Sequence, residues 1–318
     1  TFILAFKNHK KNNLKNAENL YKEILKINPD HFESILHLGT LLGQTKRPDL
    51  AKPFLQKAIQ INPNHIKTHN NLGMVLQELG ERQAAINSFE KAIEINPNYT
   101  QAYFNLGNLK RELGEHEVAM SCYQKAVQID PKNISIINAI SDLFKSFKIG
   151  SLTKTGRTNL KDLFLFLFRG NNIIHTDISH NTKLLLFDGI YENQLRQLIN
   201  SSSLLLKNEI IQNLSKEEIL LLILQKSLIT DKFLEKLITK LRCEILFTQS
   251  DSNQNFLNKY FDFIISIAEQ SFLNEFVYFQ SKEEIDKINQ LKNKILNKEE
   301  INELQIAILG CYLSLIHI

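Results

Sequence analysis

The chain has 318 residues, of which 43% are hydrophobic and 23% are charged, and its formal net charge is +4. This composition is ordinary for a folded globular protein and excludes collagen-like and intrinsically disordered chains. The small net charge gives no reason to expect a nucleic-acid partner. The longest apolar runs, residues 163–168 and 219–224, are far shorter than the ~20 residues of a membrane-spanning helix, so no membrane association is expected.

The three cysteines, Cys122, Cys243 and Cys311, are far apart and form no CxxC pair. Neither a disulfide framework nor a zinc site is therefore predicted, and a reducing, cytoplasmic location fits. His65 and His69 have the i, i+4 spacing of two metal ligands, but no third ligand is near them. Structural or surface roles are expected for these histidines, and no metal site is predicted.

A period of 34 residues runs through the first half of the chain. It is set by four prolines, each preceded by Asn or Asp: Pro29, Pro63, Pro97 and Pro131. Because the residue before a proline is disfavoured in the helical region, each site predicts a helix boundary. Small residues follow the same period: Gly39, Gly73 and Gly107 in one series, Ala17, Ala51, Ala85 and Ala119 in another. The period predicts a chain of similar units.

Each period contains two amphipathic stretches, which predicts two helices per repeat. In the third repeat the string Leu72-Gly73-x-x-Leu76 is followed by Ala85-x-x-x-Phe89 and by Pro97. This string resembles the tetratricopeptide repeat, which shares this period. The resemblance implies an all-α fold in which helix pairs stack into a solenoid with a concave groove. The partner it implies is a protein or peptide bound in that groove.

The repeats are expected to occupy residues 1–149, as about four repeats plus a final helix. The first repeat is expected to lack its beginning, because the chain opens at Thr1 with residues typical of the middle of a helix. The second repeat departs most from the pattern. It carries Lys46 where the later repeats have glycine, and Pro53 falls inside its second helix, where proline removes a backbone donor.

The resemblance also implies which side chains face the groove. In the third and fourth repeats these are Lys67, Asn70, Asn71, Met74, Gln77, Gln101, Phe104, Asn105, Asn108 and Arg111. Asn71 and Asn105 precede the Leu-Gly pair and resemble the asparagine ladder of O-linked N-acetylglucosamine transferases, whose amides hold a peptide backbone. The second repeat has His37 at this position. The alternative interpretation is that both asparagines, which we expect to be exposed, are ordinary surface residues in an Asn-rich chain.

The 34-residue period is lost after Pro131, and residues 150–157 are predicted to form a linker. Residues 158–318 carry bulkier apolar residues at helical spacing and predict an irregular all-helical domain. Helix starts are expected near Lys161, Lys183, Ser203, Lys216, Lys232, Asn255, Lys282 and Lys298. Ser215-x-x-Glu218 and Ser281-x-x-Glu284 have the capping-box spacing, and Asn297-x-x-Glu300 is a looser version.

Three segments of the second half resemble the region between the repeats and the catalytic domain of bacterial S-adenosylmethionine-dependent methyltransferases that carry tetratricopeptide repeats. They are Leu241-Arg242, Leu273–Tyr278 and Ile308–Tyr312. Glu275 and Tyr278 are expected to form a buried structural pair. No strand followed by a Gly-rich turn, phosphate loop or nucleophile elbow occurs, so no catalytic residue and no cofactor is predicted.

The end of the chain, residues 313–318, resembles a translated sequencing adapter, and the helical domain is expected to be truncated there. Three functions remain open. The first is a binding module that acts as an adaptor or recruits substrates for a larger protein. The others are the non-catalytic front of a methyltransferase and, on the Asn-Leu-Gly strings alone, that of a glycosyltransferase. This sequence leaves open whether the full protein is an enzyme.

Overall fold

The computed structural model describes residues 1–146, 153–169, 189–201, 204–226, 231–248, 254–274, 281–297 and 301–312. These ranges contain 18 α-helices and one 3₁₀ helix, and none of them contains a strand. The chain divides into two compact units, Thr1–Leu143 and Phe144–Ile318. A search of the described helices finds none with both the length and the apolar character needed to span a bilayer.

The first unit consists of helix pairs that repeat along the chain. The helices are α1 (Phe2–Lys10), α2 (Leu14–Ile27), α3 (Phe32–Gln44), α4 (Pro48–Ile61), α5 (Ile66–Glu78), α6 (Arg82–Ile95), α7 (Thr100–Glu112), α8 (His116–Ile129) and α9 (Ile134–Ser146). The even-numbered helices begin at residues 14, 48, 82 and 116, and α3, α5, α7 and α9 begin at 32, 66, 100 and 134. Both series therefore repeat every 34 residues, as the sequence predicts.

The close pairing of the two helices in each repeat depends on a glycine on the first helix. A Cβ atom on Gly73 would lie 2.6 Å from the ring of Phe89, and one on Gly107 would lie 2.7 Å from the ring of Tyr123. Phe89 and Tyr123 are fully buried, at 0% exposure, and fill the space that each glycine leaves. The periodic alanines of the second helices are also fully buried, which lets neighbouring backbones approach closely: Ala17, Ala51, Ala85 and Ala119.

The turn inside each repeat contains one residue with left-handed backbone conformation. Gly80 and Gly114 have φ angles of 77° and 78°, which glycine adopts without strain. One and two periods before Gly80, Lys46 and Asn12 adopt φ angles of 59° and 58°. The turn geometry is therefore the same in the second repeat, although its residue is a lysine, for which this conformation is unfavourable.

Helix α4 continues through Pro53 without interruption. Pro48 occupies the first turn, where a missing N–H has no consequence for the helix. Ala51, Leu55 and Ala58 are fully buried on the same helix. Burial of this face offsets the hydrogen bond that Pro53 cannot make.

Histidine side chains cap two first helices of the repeats. His31 Nδ1 accepts a hydrogen bond from the backbone N–H of Ser34 at 3.2 Å, and His65 Nδ1 accepts one from Thr68 at 3.3 Å. His69 Nε2 lies 2.7 Å from the carbonyl oxygen of Pro63. His65 and His69 thus make structural contacts. In the described ranges no three His, Cys, Asp or Glu side chains are grouped in a way that could hold a metal ion.

The second unit is an irregular helical bundle. Its described helices are α10 (Lys154–Arg169), α11 (Gly189–Asn200), the 3₁₀ helix Leu205–Lys207, α12 (Glu209–Leu214), α13 (Glu218–Lys226), α14 (Lys232–Thr248), α15 (Gln254–Asn258), α16 (Phe261–Asn274), α17 (Lys282–Leu296) and α18 (Glu303–Gly310). Helix α16 packs against α13 and α18, and α10 packs against α13. The core consists mainly of Leu, Ile and Phe side chains.

Helix α10 begins seven residues before the predicted Lys161, at Lys154, so residues 154–157 of the predicted linker are helical. The side chain of Thr153 explains this earlier start, because its Oγ1 accepts a hydrogen bond from the N–H of Gly156 at 3.0 Å. Residues 150–152 of the predicted linker lie outside the described residues.

One of the three predicted capping sites needs correction, and another, Asn297-x-x-Glu300, includes residues outside those that the structure describes. The capping box at Ser281 and Glu284 is present, and α14 and α17 begin at the predicted Lys232 and Lys282. Ser215 instead ends α12, and its hydroxyl donates to the carbonyl oxygen of Gln212 at 2.9 Å. Asn297 likewise ends α17. The next capping box is formed by Asn302 and Gln305 at the start of α18.

Long polar side chains form hydrogen bonds with backbone groups at helix ends in the second unit. Lys240 Nζ donates to three carbonyl oxygens at the end of α11, those of Leu198, Ile199 and Ser201, at 3.0, 3.1 and 2.6 Å. The carboxylate of Glu244 accepts from the N–H groups of Leu205 and Leu206 at 2.9 and 3.1 Å. The hydroxyl of Tyr260 donates to the Leu206 carbonyl at 2.6 Å. These bonds satisfy backbone groups that a helix end leaves open.

Arg242 and Tyr312, from two of the segments that resemble the methyltransferases, meet in the core of the second unit. Arg242 is 1% exposed, and its guanidinium lies 4.5 Å from the centre of the Tyr312 ring. This is the geometry of a cation–π contact. Glu275 and Tyr278, and the terminal residues 313–318, lie outside the described residues.

Candidate functional site

A cleft of about 430 Å³ opens on the first helices of the second, third and fourth repeats. It is lined by Thr40, Gly43, Gln44, Lys46, Leu55, Asn70, Asn71, Met74, Val75, Glu78, Tyr99 and Gln101. Its volume falls in the range of about 300–1,000 Å³ that is typical of small-ligand sites. Amide and hydroxyl groups form much of the lining, and the remainder is largely apolar.

Four of the ten predicted groove residues line this cleft: Asn70, Asn71, Met74 and Gln101. Met74 is 46% exposed. The other six lie elsewhere on the first unit, outside the cleft lining. They are Lys67, Gln77, Phe104, Asn105, Asn108 and Arg111. Lys67 is exposed, and Phe104 and Arg111 are half-buried.

Three of these six residues form hydrogen bonds with other side chains: Gln77, Asn105 and Asn108. Gln77 Nε2 donates to Glu112 Oε2 at 3.0 Å, and Asn108 Oδ1 accepts from the hydroxyl of Tyr123 at 2.7 Å. The ring of Phe104 lies 6.3 Å from that of Tyr123. Asn108 therefore satisfies the buried tyrosine of its own repeat, a role that the sequence pattern does not indicate.

A chain of hydrogen bonds, here called the amide chain, crosses α7, α5 and α3. Gln101 Nε2 donates to Asn105 Oδ1 at 3.1 Å, and Asn105 Nδ2 donates to Asn70 Oδ1 at 2.9 Å. Asn70 Nδ2 donates to Asn71 Oδ1 at 3.4 Å, and Asn71 Nδ2 donates to Thr40 Oγ1 at 2.9 Å. The Thr40 hydroxyl ends the chain on the Leu36 carbonyl at 2.8 Å.

The amide chain corrects the expectation that both ladder asparagines are exposed. Asn105 is 8% exposed and Asn70 is 3% exposed, whereas Asn71 is half-buried. The physical reason is that Asn105 and Asn70 bond to each other across two repeats, so each satisfies the other's buried amide. Asn71 is therefore the ladder residue that can reach a ligand in the cleft.

Sequence reasoning missed several residues of the cleft, and the period could have found some of them. Thr40 lies 34 residues before Met74, and Gln44 lies 34 residues before Glu78. Tyr99 lies 34 residues after the capping His65. The departure at Lys46 is visible in the sequence, but no pattern there indicates that its side chain extends to Glu78 at the edge of the cleft.

Lys46 and Glu78 form an ion pair at the cleft, with Lys46 Nζ 2.7 Å from Glu78 Oε1. The lysine side chain is 79% exposed and that of the glutamate 34%. Burial raises the pKa of the Tyr99 hydroxyl, which keeps this lining residue neutral. The cleft therefore holds one charge of each sign, and these two charges neutralise each other.

An aromatic cluster that contains His37 adjoins the cleft. His37 packs 4.9 Å from the ring of Phe6 and 5.9 Å from that of Tyr21. Burial, chiefly, lowers the pKa of His37 to about 4, and the nearby His9 adds to the effect. His9 Nε2 in turn lies 2.9 Å from Oε1 of the lining residue Gln44. In the second repeat, a neutral ring thus replaces the ladder amide.

The family model of the tetratricopeptide repeat matches residues 30–98 and 66–132. Together with the helix pairs, this match confirms the predicted fold class. The chain is all-α, with a tetratricopeptide-repeat solenoid followed by an irregular helical region. The comparison with curated proteins gave no match.

Among solved structures, the chain is similar to structures of MamA. One crystal structure of MamA is 26% identical, covers 51% of this chain and 93% of its own, and has a TM-score of 0.43. Another is 23% identical, covers 59% and 93%, and has a TM-score of 0.44. MamA from Desulfovibrio magneticus RS-1, from residue 41 to its end, is 19% identical, covers 42% and 75%, and scores 0.40. The methyltransferase resemblance of the second half finds no support in these comparisons.

Proposed function

We propose that the first unit binds an extended segment of another protein in the cleft between Thr40 and Gln101, and that the chain acts as an adaptor through this contact. The single observation that carries the proposal is the cleft itself, whose lining includes Asn71, Gln101 and the exposed Met74. Tetratricopeptide repeats use the first helices of their pairs for such contacts.

Asn71 has the hydrogen-bonding capacity that a peptide backbone requires. An amide side chain offers two donors and two acceptor sites. Asn71 uses one donor on Thr40 and one acceptor site on Asn70. The second donor and the second acceptor site can pair with the C=O and N–H of a bound segment. Gln101 is exposed and uses one donor on Asn105, so it can make a further contact.

Asn70 and Asn105 are buried and hold the side chains of Asn71 and Gln101 in place by hydrogen bonds. Because both are buried and bonded to each other, they fix the position of Asn71 on one side and of Gln101 on the other. We therefore assign them a positioning role and leave direct contact with the partner to Asn71, Gln101 and Met74. Of the predicted groove, Lys67, Phe104 and Arg111 remain candidates for contacts further along a longer segment.

The proposal is tested with peptides selected on the full chain from a random 12-residue phage library and then synthesised with a fluorescent label. We expect the double variant Asn71→Ala, Gln101→Ala to weaken their binding by ~1–3 kcal/mol, at about 0.5–1.5 kcal/mol per net hydrogen bond. Anisotropy titrations measure the loss. Helicity by circular dichroism should stay unchanged, since neither residue belongs to the apolar core.

The matched control is Asn87→Ala, which removes an exposed asparagine from α6, on the second helix of the same repeat. This variant should bind the peptides as the natural chain does. Equal affinity of the double variant and the natural chain, with intact helicity, would reject the cleft as the binding site. Failure to select any peptide would count against the peptide-binding function as a whole.

We also propose that this adaptor works in the cytoplasm. The three cysteines remain free thiols, and Cys122 and Cys311 are buried among apolar neighbours. Burial raises the pKa of Cys122 to about 11, so the thiol stays protonated and unreactive. A chain stabilised without disulfides is suited to a reducing compartment. Fractionation of cells that express a tagged chain, with a periplasmic or secreted marker as control, measures where the protein lies.

A further inference from the structure

The lining of the cleft contains an ion pair between Lys46 and Glu78. The backbone of Lys46 has a conformation that is unfavourable for lysine. Lys46 has a φ angle of 59°, whereas glycine occupies the equivalent turn in the next two repeats. Glycine at this position would relieve the backbone but would also remove the cation that lies 2.7 Å from Glu78. Without Lys46, the Glu78 carboxylate would be an unpaired charge in the lining of the cleft.

No other charged side chain occurs among the twelve described residues that line the cleft. Since Lys46 and Glu78 neutralise each other, a ligand meets a site of zero net charge. A charged ligand group must compete with one member of the pair for the other, because the described residues of the lining offer no unpaired charge of opposite sign. The pair therefore gives neither acidic nor basic side chains a net electrostatic attraction, which favours uncharged ligands.

The rest of the lining indicates what the site accepts. The exposed side chain of Met74 provides an apolar surface, with Leu55 and Val75 buried behind it, and methionine adapts its shape to different apolar partners. Asn71 and Gln101 provide amide groups beside it. Paired amides beside an apolar surface match an extended backbone that carries an apolar side chain.

We infer that the cleft selects an extended, uncharged peptide segment, with an apolar side chain over Met74 and its backbone on Asn71 and Gln101, and that the Lys46–Glu78 pair enforces this selection. This inference rests on the function proposed above and narrows the class of partner. The site takes neither a carboxylate-bearing tail nor a basic segment.

The test uses the full chain and the same random 12-residue phage library, selected in parallel on three proteins. These are the natural chain, Glu78→Gln and Lys46→Gln. The two variants are a matched pair, because each removes one charge and keeps a polar side chain of similar size. We expect peptides from the natural chain to be enriched in uncharged residues. Glu78→Gln should enrich Asp and Glu, and Lys46→Gln should enrich Lys and Arg.

A synthetic pair of peptides gives the quantitative arm. In the leading peptide from the natural chain, replacement of the most enriched apolar residue by Glu should weaken binding at least tenfold. Glu78→Gln should bind the Glu-substituted peptide at least threefold more tightly than the natural chain does. Lys46→Gln should bind it no more tightly than the natural chain. Thermal unfolding of both variants verifies that they fold as the natural chain does.

The outcomes separate this inference from the proposed function. Peptides that depend on Asn71 and Gln101 but carry recurring charges would overturn the inference and leave the function standing. The same holds if both charge variants select the same peptides as the natural chain. Peptides that are insensitive to Asn71→Ala, Gln101→Ala would reject the cleft itself. Concentration-dependent dimerisation that Met74→Glu abolishes, seen by sedimentation velocity, would assign the cleft to a second copy of the chain and overturn the inference.

Discussion

The contacts that hold the helices together involve different kinds of residues in the two units. In Thr1–Leu143 the same two positions meet in successive repeats, a glycine on the first helix and a large buried side chain on the second. In the described residues of Phe144–Ile318 the helix ends are held by unrelated contacts, such as those of Lys240 with the end of α11 and of Glu244 with the 3₁₀ helix. The first unit is thus built from one contact used repeatedly, and the second from several unrelated contacts.

This difference determines how each unit responds to change. Each repeat also packs against the next one, so the loss of a contact inside one repeat affects its neighbours along the solenoid. A contact made once affects the elements that it joins. The two units should therefore lose stability separately, and we propose this division into two independently unfolding domains as the domain organisation of the chain.

The largest effect is expected from Phe89→Ala. The ring is fully buried against Gly73, and its removal leaves a cavity that glycine cannot fill. The cost should be about 3–5 kcal/mol, as for other buried aromatic residues. Hydrogen exchange followed by mass spectrometry should show lost protection across several repeats and unchanged protection after residue 153.

Phe164→Ala is the matched variant in the second unit. Phe164 is also fully buried and stacks on Phe168 with ring centres 4.5 Å apart. Its replacement should cost a similar amount but reduce protection only in the second unit. If either variant lowers protection in both halves, the two units form one cooperative structure and the proposed domain division is wrong.

Smaller losses of stability are expected when the two kinds of glycine in the repeats are replaced by alanine: the packed Gly73 and the turn residue Gly80. Gly73→Ala places a Cβ atom against the Phe89 ring and should cost about 1–3 kcal/mol through overpacking. Gly80→Ala meets no atom within 4 Å, and its cost of about 1 kcal/mol comes from the left-handed backbone. Urea denaturation measures both values.

Asparagine distinguishes the two causes, because it tolerates left-handed backbone but is larger than alanine. Gly80→Asn should be close to the natural chain in stability, and Gly73→Asn should be worse than Gly73→Ala. The reverse order would show that backbone conformation, and not the space against Phe89, decides the requirement at Gly73.

The first unit should also be the more sensitive to mild acid, because of His37. Its folded pKa of about 4 lies below the ordinary value of 6.5, so the folded state binds fewer protons than the unfolded chain. Stability is complete above pH 6.5 and falls as the pH drops towards 4. After a discount for partial exposure, we expect a loss on the order of 1–2 kcal/mol by pH 4.5. Urea midpoints measured from pH 7.5 to 4.5 give this loss, and His37→Phe should remove it.

Glu18 defines a second and lower window. Its hydrogen bonds with Arg47 lower its pKa from 4.5 to about 2, so its contribution is present above pH 4.5 and is lost as the pH falls towards 2. Arg47→Gln should therefore reduce stability near neutral pH and flatten the decline below pH 4.5. A variant that keeps the full decline in this lower window would show that other carboxylates cause it.

The smallest effect is expected at Lys46. Lys46→Gly relieves the left-handed lysine but loses the ion pair with Glu78, which is worth about 0–1 kcal/mol at this exposure. The relief of about 1–2 kcal/mol should exceed that loss, and a net stabilisation of about 0.5–1 kcal/mol is expected by thermal unfolding. The reverse substitution, Gly80→Lys, should destabilise the third repeat by a similar amount. Equal stability of all three chains would mean that the turn residue carries no strain.

The sequence alone predicts the helix boundaries of the repeats and one capping box, because these depend on neighbouring or periodically spaced residues. The prolines and small residues place the helices of residues 14–146 with a fixed period, because helix boundaries result from backbone preferences and repeated contacts leave a repeated pattern. The same kind of local chemistry places the capping box at Ser281. The resemblance to the tetratricopeptide repeat, and not the period alone, implies four of the residues that line the cleft, because it indicates which side chains of the first helices face the groove.

The folded structure is needed to know which of those residues are available to a partner. Asn71 and Asn105 occupy equivalent positions, yet Asn105 is buried because the asparagine at position 70 lies next to it in space. The pairing of Lys46 with Glu78 joins two repeats across 32 residues. Such contacts depend on the distance between side chains in the folded chain, which no sequence spacing specifies.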